Sequence, residues 1–237
     1  MKKYFGLSTL SRDKALSFNY PNGFDTYICV CQGQSENRVE QVKCNGKTLN
    51  LISSFDKGLS KSRNAIAKFA QSMSSHDDDV IYFSDDDLTF NPSIDLGQVI
   101  DTAFEINIFP MMRGSVRFRT YRDMTRIKLI DFLEIAKMSS AELVFKLKVF
   151  QKNNFDECLG LGSAYIPRGE ECKLCHDIYV SGGSFRIYDV HFAKHPDIIT
   201  TGEHGYTLRE NAKIYNYIFG KYKYLLLLKD VAKCILK

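Results

Sequence analysis

Three consecutive aspartates, Asp85–Asp87, follow the apolar run VIYFS and precede the residues LTF. Adjacent carboxylates repel one another unless water or a cation relieves the repulsion. Carboxylate oxygens are hard ligands that suit Mg²⁺ or Mn²⁺, which commonly bridge one or two carboxylates to substrate phosphates. A solvated turn explains the same three residues without a ligand, and composition alone does not separate these two interpretations.

A second aspartate run, Asp77–Asp79, precedes the same apolar segment. At about 3.3 Å per residue the two runs lie roughly 20 Å apart, so they cannot share one site. In open α/β sheets, ligands bind beyond the carboxyl ends of the strands, and only Asp85–Asp87 lies at that end. We therefore predict that Asp77–Asp79 forms a solvated turn.

Cations surround the start of a predicted helix in the segment KGLSKSRN. Ser60 is the predicted N-cap, and Lys57, Lys61 and Arg63 lie around the first turn. A helix N-terminus carries a partial positive charge, so cations there are unfavourable unless an anion such as phosphate lies beside them. Lysines that extend into water are the simpler explanation, which suffices for Lys61. Together with the aspartates, the segment suggests a metal–diphosphate site.

The elements that must position these residues follow an α/β pattern. DTYICVCQG and KTLNLIS are β-rich runs, and VIYFS is apolar throughout, as buried parallel strands are. Between them, apolar residues follow the i, i+3, i+4, i+7 spacing of an amphipathic helix. They are Ile66, Phe69, Ala70 and Met73. Strand, strand, helix and strand in this order predict a sheet with helical crossovers.

The second half of the chain gives further patterns. GSVRFRTY alternates like a strand, and helices are predicted at about 123–137 and 140–150. A glycine-rich segment leads into a predicted helix that ends near Val180, and GSFRIYDVHF is predicted as a strand that runs into a loop. The tail from Tyr206 is predicted to be helical. No element is predicted for residues 1–24.

The charge of the chain is unevenly distributed. The net charge of the 237 residues is +4, but residues 206–237 carry seven Lys or Arg against two acids, so the rest is close to neutral. This distribution argues against a protein that coats nucleic acid. Seven cysteines, an odd number partly within apolar runs, suit a reducing compartment. Without a signal-peptide core or a long apolar run, we expect a cytoplasmic protein with no nucleic-acid partner.

The tail contains lysines at i+4 spacing beside a set of apolar residues. The lysines are Lys229, Lys233 and Lys237, and the apolar residues are Leu227, Leu228, Val231 and Ile235. A basic amphipathic helix of this kind is suited to an anionic membrane surface, which would make the protein peripheral at the inner face of the membrane. The same helix is equally suited to packing against its own domain, and both interpretations stay open.

Four segments, in order along the chain, resemble bacterial family-two glycosyltransferases with the GT-A fold. They are KGLSKSRNAIAKFA, VIYFSDDD, FDECLGLGSAYIPRGEE and HPDIITTG, and the resemblance covers roughly residues 26–202. It implies one α/β domain over residues 1–237, with a Rossmann-like, mostly parallel sheet flanked by helices. About 1–115 would form a nucleotide-sugar lobe, about 116–205 an acceptor and catalytic-base lobe, and about 206–237 a basic helical tail.

The resemblance also implies roles for residues at the donor site. Asp85 and Asp86 would meet the ribose and the metal, and Asp87 would be the principal ligand of Mn²⁺ or Mg²⁺. His195 would approach the metal or the diphosphate.

Further roles follow from the same resemblance. Gln32 would lie beside the base, Arg63 would contact the nucleotide or lock the aspartates in place, and Lys57 would add positive charge at the donor. Glu170 and Glu171 resemble the acidic pair that supplies the general base, with Glu171 preferred. Acids in the first turn of a helix are also stabilising without any function, so a purely structural role stays open.

The activity that the resemblance implies is an inverting, metal-dependent sugar transfer in bacterial surface-polysaccharide assembly. The donor would be a nucleotide sugar, expected to be UDP-linked, and the acceptor a glycan or a lipid-linked molecule. A nucleotidyltransferase would share the carboxylate–metal–phosphate site but would release pyrophosphate. A catalytically silent GT-A domain would bind nucleotide without consuming a donor.

Overall fold

The computed structural model of this chain describes residues 1–196 and 207–235, which contain twelve β-strands in two sheets. The strands are β1 (Lys3–Thr9), β2 (Thr26–Gln32), β3 (Arg38–Cys44), β4 (Lys47–Ser54), β5 (Val80–Asp85), β6 (Thr89–Phe90), β7 (Ile106–Ile108), β8 (Met112–Arg113), β9 (Val116–Arg117), β10 (Leu143–Lys146), β11 (Phe185–Ile187) and β12 (Ala193–His195). The larger sheet has the order β11-β7-β10-β5-β1-β2-β4-β3, and the smaller sheet has the order β6-β12-β8-β9. Strands β5, β1, β2 and β4 are parallel neighbours, whereas β3 and β10 run antiparallel to theirs.

Helices connect these strands and cover the larger sheet. The α-helices are α1 (Arg12–Ser17), α2 (Leu59–Met73), α3 (Leu96–Val99), α4 (Lys128–Ile135), α5 (Glu170–Val180), α6 (Leu208–Phe219) and α7 (Lys223–Ile235), and 3₁₀ turns lie at Ser140–Glu142, Leu147–Gln151 and Gly220–Tyr222. The predicted α/β class, with a large and mostly parallel sheet flanked by helices, is therefore confirmed.

The larger sheet is buried on both faces. Successive side chains of a strand point to opposite faces, and the neighbours Tyr4 and Phe5 of β1 belong to different core clusters. Tyr4 lies in the cluster that contains Ile66 of α2, whereas Phe5 lies in the cluster that contains Phe18 and Tyr82. Burial on both faces explains why the parallel strands are apolar throughout.

The most consequential difference from the sequence prediction is β1. No element is predicted for residues 1–24, yet β1 lies in the middle of the sheet between β2 and β5. Gly6 interrupts the apolar run, because a Cβ at this position would lie 2.5 Å from the Ile66 side chain. Glycine weakens a strand signal and marks a close approach of the backbone to its neighbour. The strand ends at Thr9, at the edge of the sheet where β5 ends at Asp85.

The helix predicted for residues 140–150 is wrong. Strand β10 lies there between β5 and β7, with a 3₁₀ turn on each side. All four residues of β10 are buried, and periodicity does not separate such a short apolar run from a buried helix. Pairing settles the conformation, because the backbone groups of β5 and β7 find partners on this strand.

Other predicted boundaries are partly right. The strands in DTYICVCQG, KTLNLIS and VIYFS are confirmed as β2, β4 and β5, and the helix ending at Val180 is confirmed as α5. The helix predicted at 123–137 is present only as α4, and the strand GSVRFRTY is reduced to β9. The strand predicted at the start of GSFRIYDVHFAKHP is present as β11, but the loop predicted after it is wrong at Ala193–His195, which form β12.

The predicted N-cap of α2 is also wrong. Gly58 precedes the helix with a φ of 130°, a conformation that residues with a side chain rarely adopt. Ser60 lies inside the first turn, where its hydroxyl donates a hydrogen bond to the Leu159 carbonyl at 2.6 Å. The Ser60 side chain therefore bonds the helix to a loop that is distant in sequence and does not cap the helix.

The prediction of a solvated turn at Asp77–Asp79 holds for Asp77 and Asp78, which are exposed, but is wrong for Asp79. Asp78 Oδ1 also lies 3.3 Å from the ammonium of the buried Lys146. Asp79 is buried and accepts hydrogen bonds from the Lys2 backbone N–H at 2.5 Å and the Ser74 hydroxyl at 2.7 Å. Burial opposes ionisation of Asp79, but these hydrogen bonds outweigh it and lower its pKa. Asp79 therefore ties the start of β1 to the end of α2.

The predicted helical tail consists of α6 and α7. One side of α7 packs inward through Leu226, whereas Leu228 is exposed. The side chains of residues 233–235, and residues 236–237, lie outside the described part. No helix among the described residues combines the length and the apolar character that crossing a bilayer requires.

Candidate active site

A cavity of about 1100 Å³ opens where the parallel strands of the larger sheet end. Thr9 of β1, Gln32 of β2 and Asp85 of β5 all line it, as expected for a ligand site at the carboxyl edge of an α/β sheet. The cavity also brings together all nine residues that the sequence analysis nominates. They are Gln32, Lys57, Arg63, Asp85, Asp86, Asp87, Glu170, Glu171 and His195.

A buried arginine connects the two acidic parts of this cavity. Arg63 projects from α2 and is only 1% exposed. Its Nη1 donates to Glu170 Oε1 at 2.7 Å, and its Nη2 donates to Asp85 Oδ1 at 3.1 Å and to Ser140 Oγ at 2.6 Å. Burial works against the charge of Arg63, but the carboxylates of Asp85 and Glu170 outweigh it and raise its pKa. Arg63, buried in the wall of the cavity, therefore fixes the position of Asp85.

Asp86 is held by the segment that the sequence analysis leaves unassigned. The Thr9 hydroxyl donates to Asp86 Oδ2 at 2.5 Å, and Lys14 Nζ of α1 lies 3.3 Å from Asp86 Oδ1. The available signal for these residues is the short apolar run YFGL, followed by Ser8 and Thr9. Sequence reasoning misses both contacts because they depend on β1 being the neighbour of β5.

Asp87 has one carboxylate oxygen with a partner and one without. His195 Nε2 lies 3.4 Å from Asp87 Oδ2, whereas Oδ1 is buried and makes no hydrogen bond within the described residues. Burial raises the pKa of Asp87, the neighbouring Asp85 and Asp86 raise it further, and His195 acts in the opposite direction. Leaving a buried carboxylate oxygen unsatisfied is costly. A divalent cation bound at Asp87 would remove that cost, so this residue fits a metal ligand.

The protein supplies only part of a metal coordination shell. The described residues contain no cluster of three or more His, Cys, Asp or Glu side chains placed to hold a metal by themselves. Mg²⁺ usually keeps several water ligands and is held by one or two carboxylates together with substrate phosphates. Asp87 and His195 therefore fit a metal that is bound jointly with a phosphate ligand.

The start of α2 is less open to an anion than the sequence suggests. The Gly58 N–H donates to Gln32 Oε1 at 2.8 Å, and the Leu59 N–H donates to the Leu161 carbonyl at 2.8 Å. Lys61 is exposed and lies 3.4 Å from Asp56, which agrees with the simpler explanation for that lysine. Two N–H groups at this helix start are thus satisfied within the protein and are not available to an anion.

The glycine-rich segment closes over this helix start. A Cβ at Gly162 would lie 3.1 Å from the Gly58 Cα, and one at Gly160 would lie 2.9 Å from the Ser60 hydroxyl. Both glycines also have a positive φ, at 83° and 95°. The positive φ, together with the close approach of the Gly58 backbone to Gly162 and of the Ser60 side chain to Gly160, explains why glycine is required at both positions.

The two glutamates at the start of α5, Glu170 and Glu171, differ in how far they are buried. Glu170 is 3% exposed and is bound by Arg63, whereas Glu171 is only half-buried at the cavity wall. Burial is the main reason that the pKa of Glu170 rises to about 8, with the charge of Glu171 contributing and Arg63 opposing the shift. Glu171 is therefore the member of the pair that is accessible to a ligand.

The remaining wall is built from residues that the sequence analysis does not nominate. They are chiefly Arg113, Phe118, Arg119, Lys137, Arg168, Asn211, Tyr215 and Phe219. Arg119 is held by Glu142, which is fully buried and also accepts hydrogen bonds from the Tyr121 hydroxyl at 2.5 Å and the Met111 N–H at 3.0 Å. These residues come from β8, from loops and from α6, where no local pattern indicates a site.

The predicted closing loop HPDIITTG is described only at its start. His195 lies in β12, which joins the smaller sheet, and Pro196 follows it. Residues 197–202 of that loop lie outside the described residues.

Comparison with models of known protein families gives no match for this chain, and comparison with curated protein sequences gives none either. The functional interpretation therefore rests on the sequence motifs and on the geometry of the cavity.

Proposed function

We propose that this chain is an inverting, metal-dependent glycosyltransferase with a GT-A fold. Its donor is a nucleotide sugar, expected to be UDP-linked, and its acceptor is a glycan or a lipid-linked molecule. The observation that carries this proposal is the link through buried Arg63 between Asp85 and Glu170, at the wall of one cavity. Through this link, motif segments far apart in the chain meet where the parallel strands end.

The residues on the donor side of the cavity are suited to binding a nucleoside diphosphate group. Asp85, Asp86 and Asp87 form a carboxylate group at the end of β5, and Lys57 adds a cation to the same cavity. Asp87 and His195 would hold Mn²⁺ or Mg²⁺, and the bound cation would neutralise charge on the diphosphate leaving group. Arg63 and Thr9 contribute by fixing the orientation of Asp85 and Asp86 before a ligand binds.

The acceptor half needs a group that removes a proton. The acceptor hydroxyl must lose its proton as its oxygen forms a bond to the anomeric carbon, while the bond from that carbon to the diphosphate oxygen breaks. Glu171 is the better candidate for this general base, because it is accessible at the cavity wall. Glu170 is buried against Arg63, which suits a positioning role. A single displacement of this kind inverts the anomeric configuration.

Identification of the released product tests the proposal. The purified chain is incubated with a panel of nucleotide sugars and Mn²⁺, and the products are separated by liquid chromatography with mass detection. We expect release of a nucleoside diphosphate and no pyrophosphate. A nucleotidyltransferase would instead release pyrophosphate in a parallel incubation with nucleoside triphosphates and sugar 1-phosphates. Nucleotide binding without donor consumption would indicate a silent binding domain.

A further inference from the structure

The outer face of α7 is a continuous apolar stripe. Tyr224, Leu225, Leu228 and Val231 are 63%, 37%, 64% and 39% exposed. At 3.6 residues per turn these positions fall on one side of the helix. Scattered exposed apolar residues are ordinary, but a row of four large ones on a single helix face indicates an interaction surface.

Among the described residues of the tail, the charges next to this stripe are positive. Lys229 lies beside the stripe and Lys221 lies just before the helix, and the Lys223 ammonium lies 5.0 Å from the centre of the Tyr224 ring and donates to Asn216 Oδ1 at 2.7 Å. The two acids of the described tail, Glu210 and Asp230, are both engaged elsewhere. Glu210 closes the capping box of α6, and Asp230 points away from the stripe.

The side of α7 opposite the stripe packs against the domain and contacts residues of α6 that line the cavity. Leu226 is buried against the domain, and Asp230 accepts hydrogen bonds from Asn211 Nδ2 at 2.6 Å and the Tyr215 hydroxyl at 2.9 Å. Asn211 and Tyr215 belong to α6 and line the cavity. The stripe and the cavity therefore lie on opposite sides of the packed pair α6 and α7.

We propose that this face of α7 docks on an anionic lipid bilayer. The apolar stripe would enter the boundary between headgroups and acyl chains, and the flanking lysines would lie among anionic headgroups. A second copy of this chain fits less well, because a symmetric pairing of two stripes would bring the lysine rims of both copies together. Docking itself does not depend on the proposed reaction.

Sedimentation of the full chain with lipid vesicles tests the docking surface. Vesicles rich in phosphatidylglycerol are compared with vesicles of phosphatidylcholine alone, without donor or metal. We expect binding to the anionic vesicles that weakens as salt is added, and a loss of about tenfold or more in the double variant Leu228→Glu, Val231→Glu. The control is Val39→Glu, which places a glutamate at an exposed valine of β3 and should bind as the unmodified chain does.

Three outcomes would overturn the docking proposal. They are no binding of the unmodified chain to anionic vesicles, equal binding by the double variant, and a dimer in light scattering that the double variant converts to a monomer. The last outcome would identify the stripe as a contact between copies. Release of nucleoside diphosphate in solution is measured in parallel, so a failure of docking and a failure of the proposed reaction are distinguished.

Discussion

The guanidinium of Arg63 lies 2.7 Å from the carboxylate of Glu170, although 107 residues separate them in the chain. The same guanidinium binds Asp85 at 3.1 Å. One buried cation therefore fixes the relative position of the aspartate run and the acidic helix start. This arrangement has consequences for stability, for its pH dependence and for catalysis.

Arg63→Met should destabilise the fold. The substitution removes the donor of hydrogen bonds to Glu170, Asp85 and Ser140, and leaving a buried polar group without its partner typically costs about 1–3 kcal/mol. Urea denaturation at neutral pH measures the loss. Lys61→Met is the matched control, because it lies on the same helix but is exposed and should change stability little. Equal stability of the two variants would show that the buried pair contributes nothing to the fold.

Glu170→Gln should change the pH dependence of stability. The folded pKa of Glu170 is raised from 4.5 to about 8, chiefly by burial. A carboxyl with a raised pKa stabilises the fold while it is protonated, and this contribution is lost as the pH rises towards the folded value. The unmodified chain should therefore lose stability relative to Glu170→Gln between about pH 4.5 and about pH 8. Denaturation curves of both proteins across this window measure the difference, and parallel curves would contradict the assignment.

Glu171→Gln should abolish transfer while sparing the donor site. Glutamine keeps the shape of the side chain but does not accept a proton at neutral pH, and general-base catalysis is typically worth about 10²–10⁴-fold. We expect kcat to fall by that order while donor affinity stays constant. Glu36→Gln, an exposed glutamate, serves as the control. Near-normal turnover of Glu171→Gln would place the base at another residue.

Local sequence was sufficient for part of the site. The aspartate run follows an apolar strand without a break, and the acidic pair begins a helix directly after Gly169. Both features depend on neighbouring residues alone, so composition and spacing locate them. The same holds for α2, whose apolar face repeats with helical spacing.

Features that depend on distant partners were not predictable. Strand β1 is recognisable only from its position between β2 and β5. Because the sequence does not predict this strand, it also does not predict the contacts of Thr9 and Lys14 with Asp86. Strand β10 has its conformation because β5 and β7 pair with it. The difference between Glu170 and Glu171 arises from Arg63, which reaches only one of them. In the tail, sequence periodicity does not reveal that Leu226 is buried while Leu228 is exposed, because that depends on how α7 packs.

Calorimetric titration with UDP tests the central claim most directly. The unmodified chain, Asp87→Asn and Asp78→Asn are compared with Mn²⁺ and with a chelator. Asp87 has a buried carboxylate oxygen that finds no hydrogen-bond partner in the part of the chain that the structure describes, whereas Asp78 is exposed at the other end of the same strand. We expect Mn²⁺ to strengthen UDP binding to the unmodified chain and to Asp78→Asn. Asp87→Asn should lose at least about tenfold in affinity, or about 1.4 kcal/mol, in Mn²⁺. Equal affinities of the two variants, or UDP binding that is indifferent to Mn²⁺, would contradict a metal-dependent donor site at Asp87.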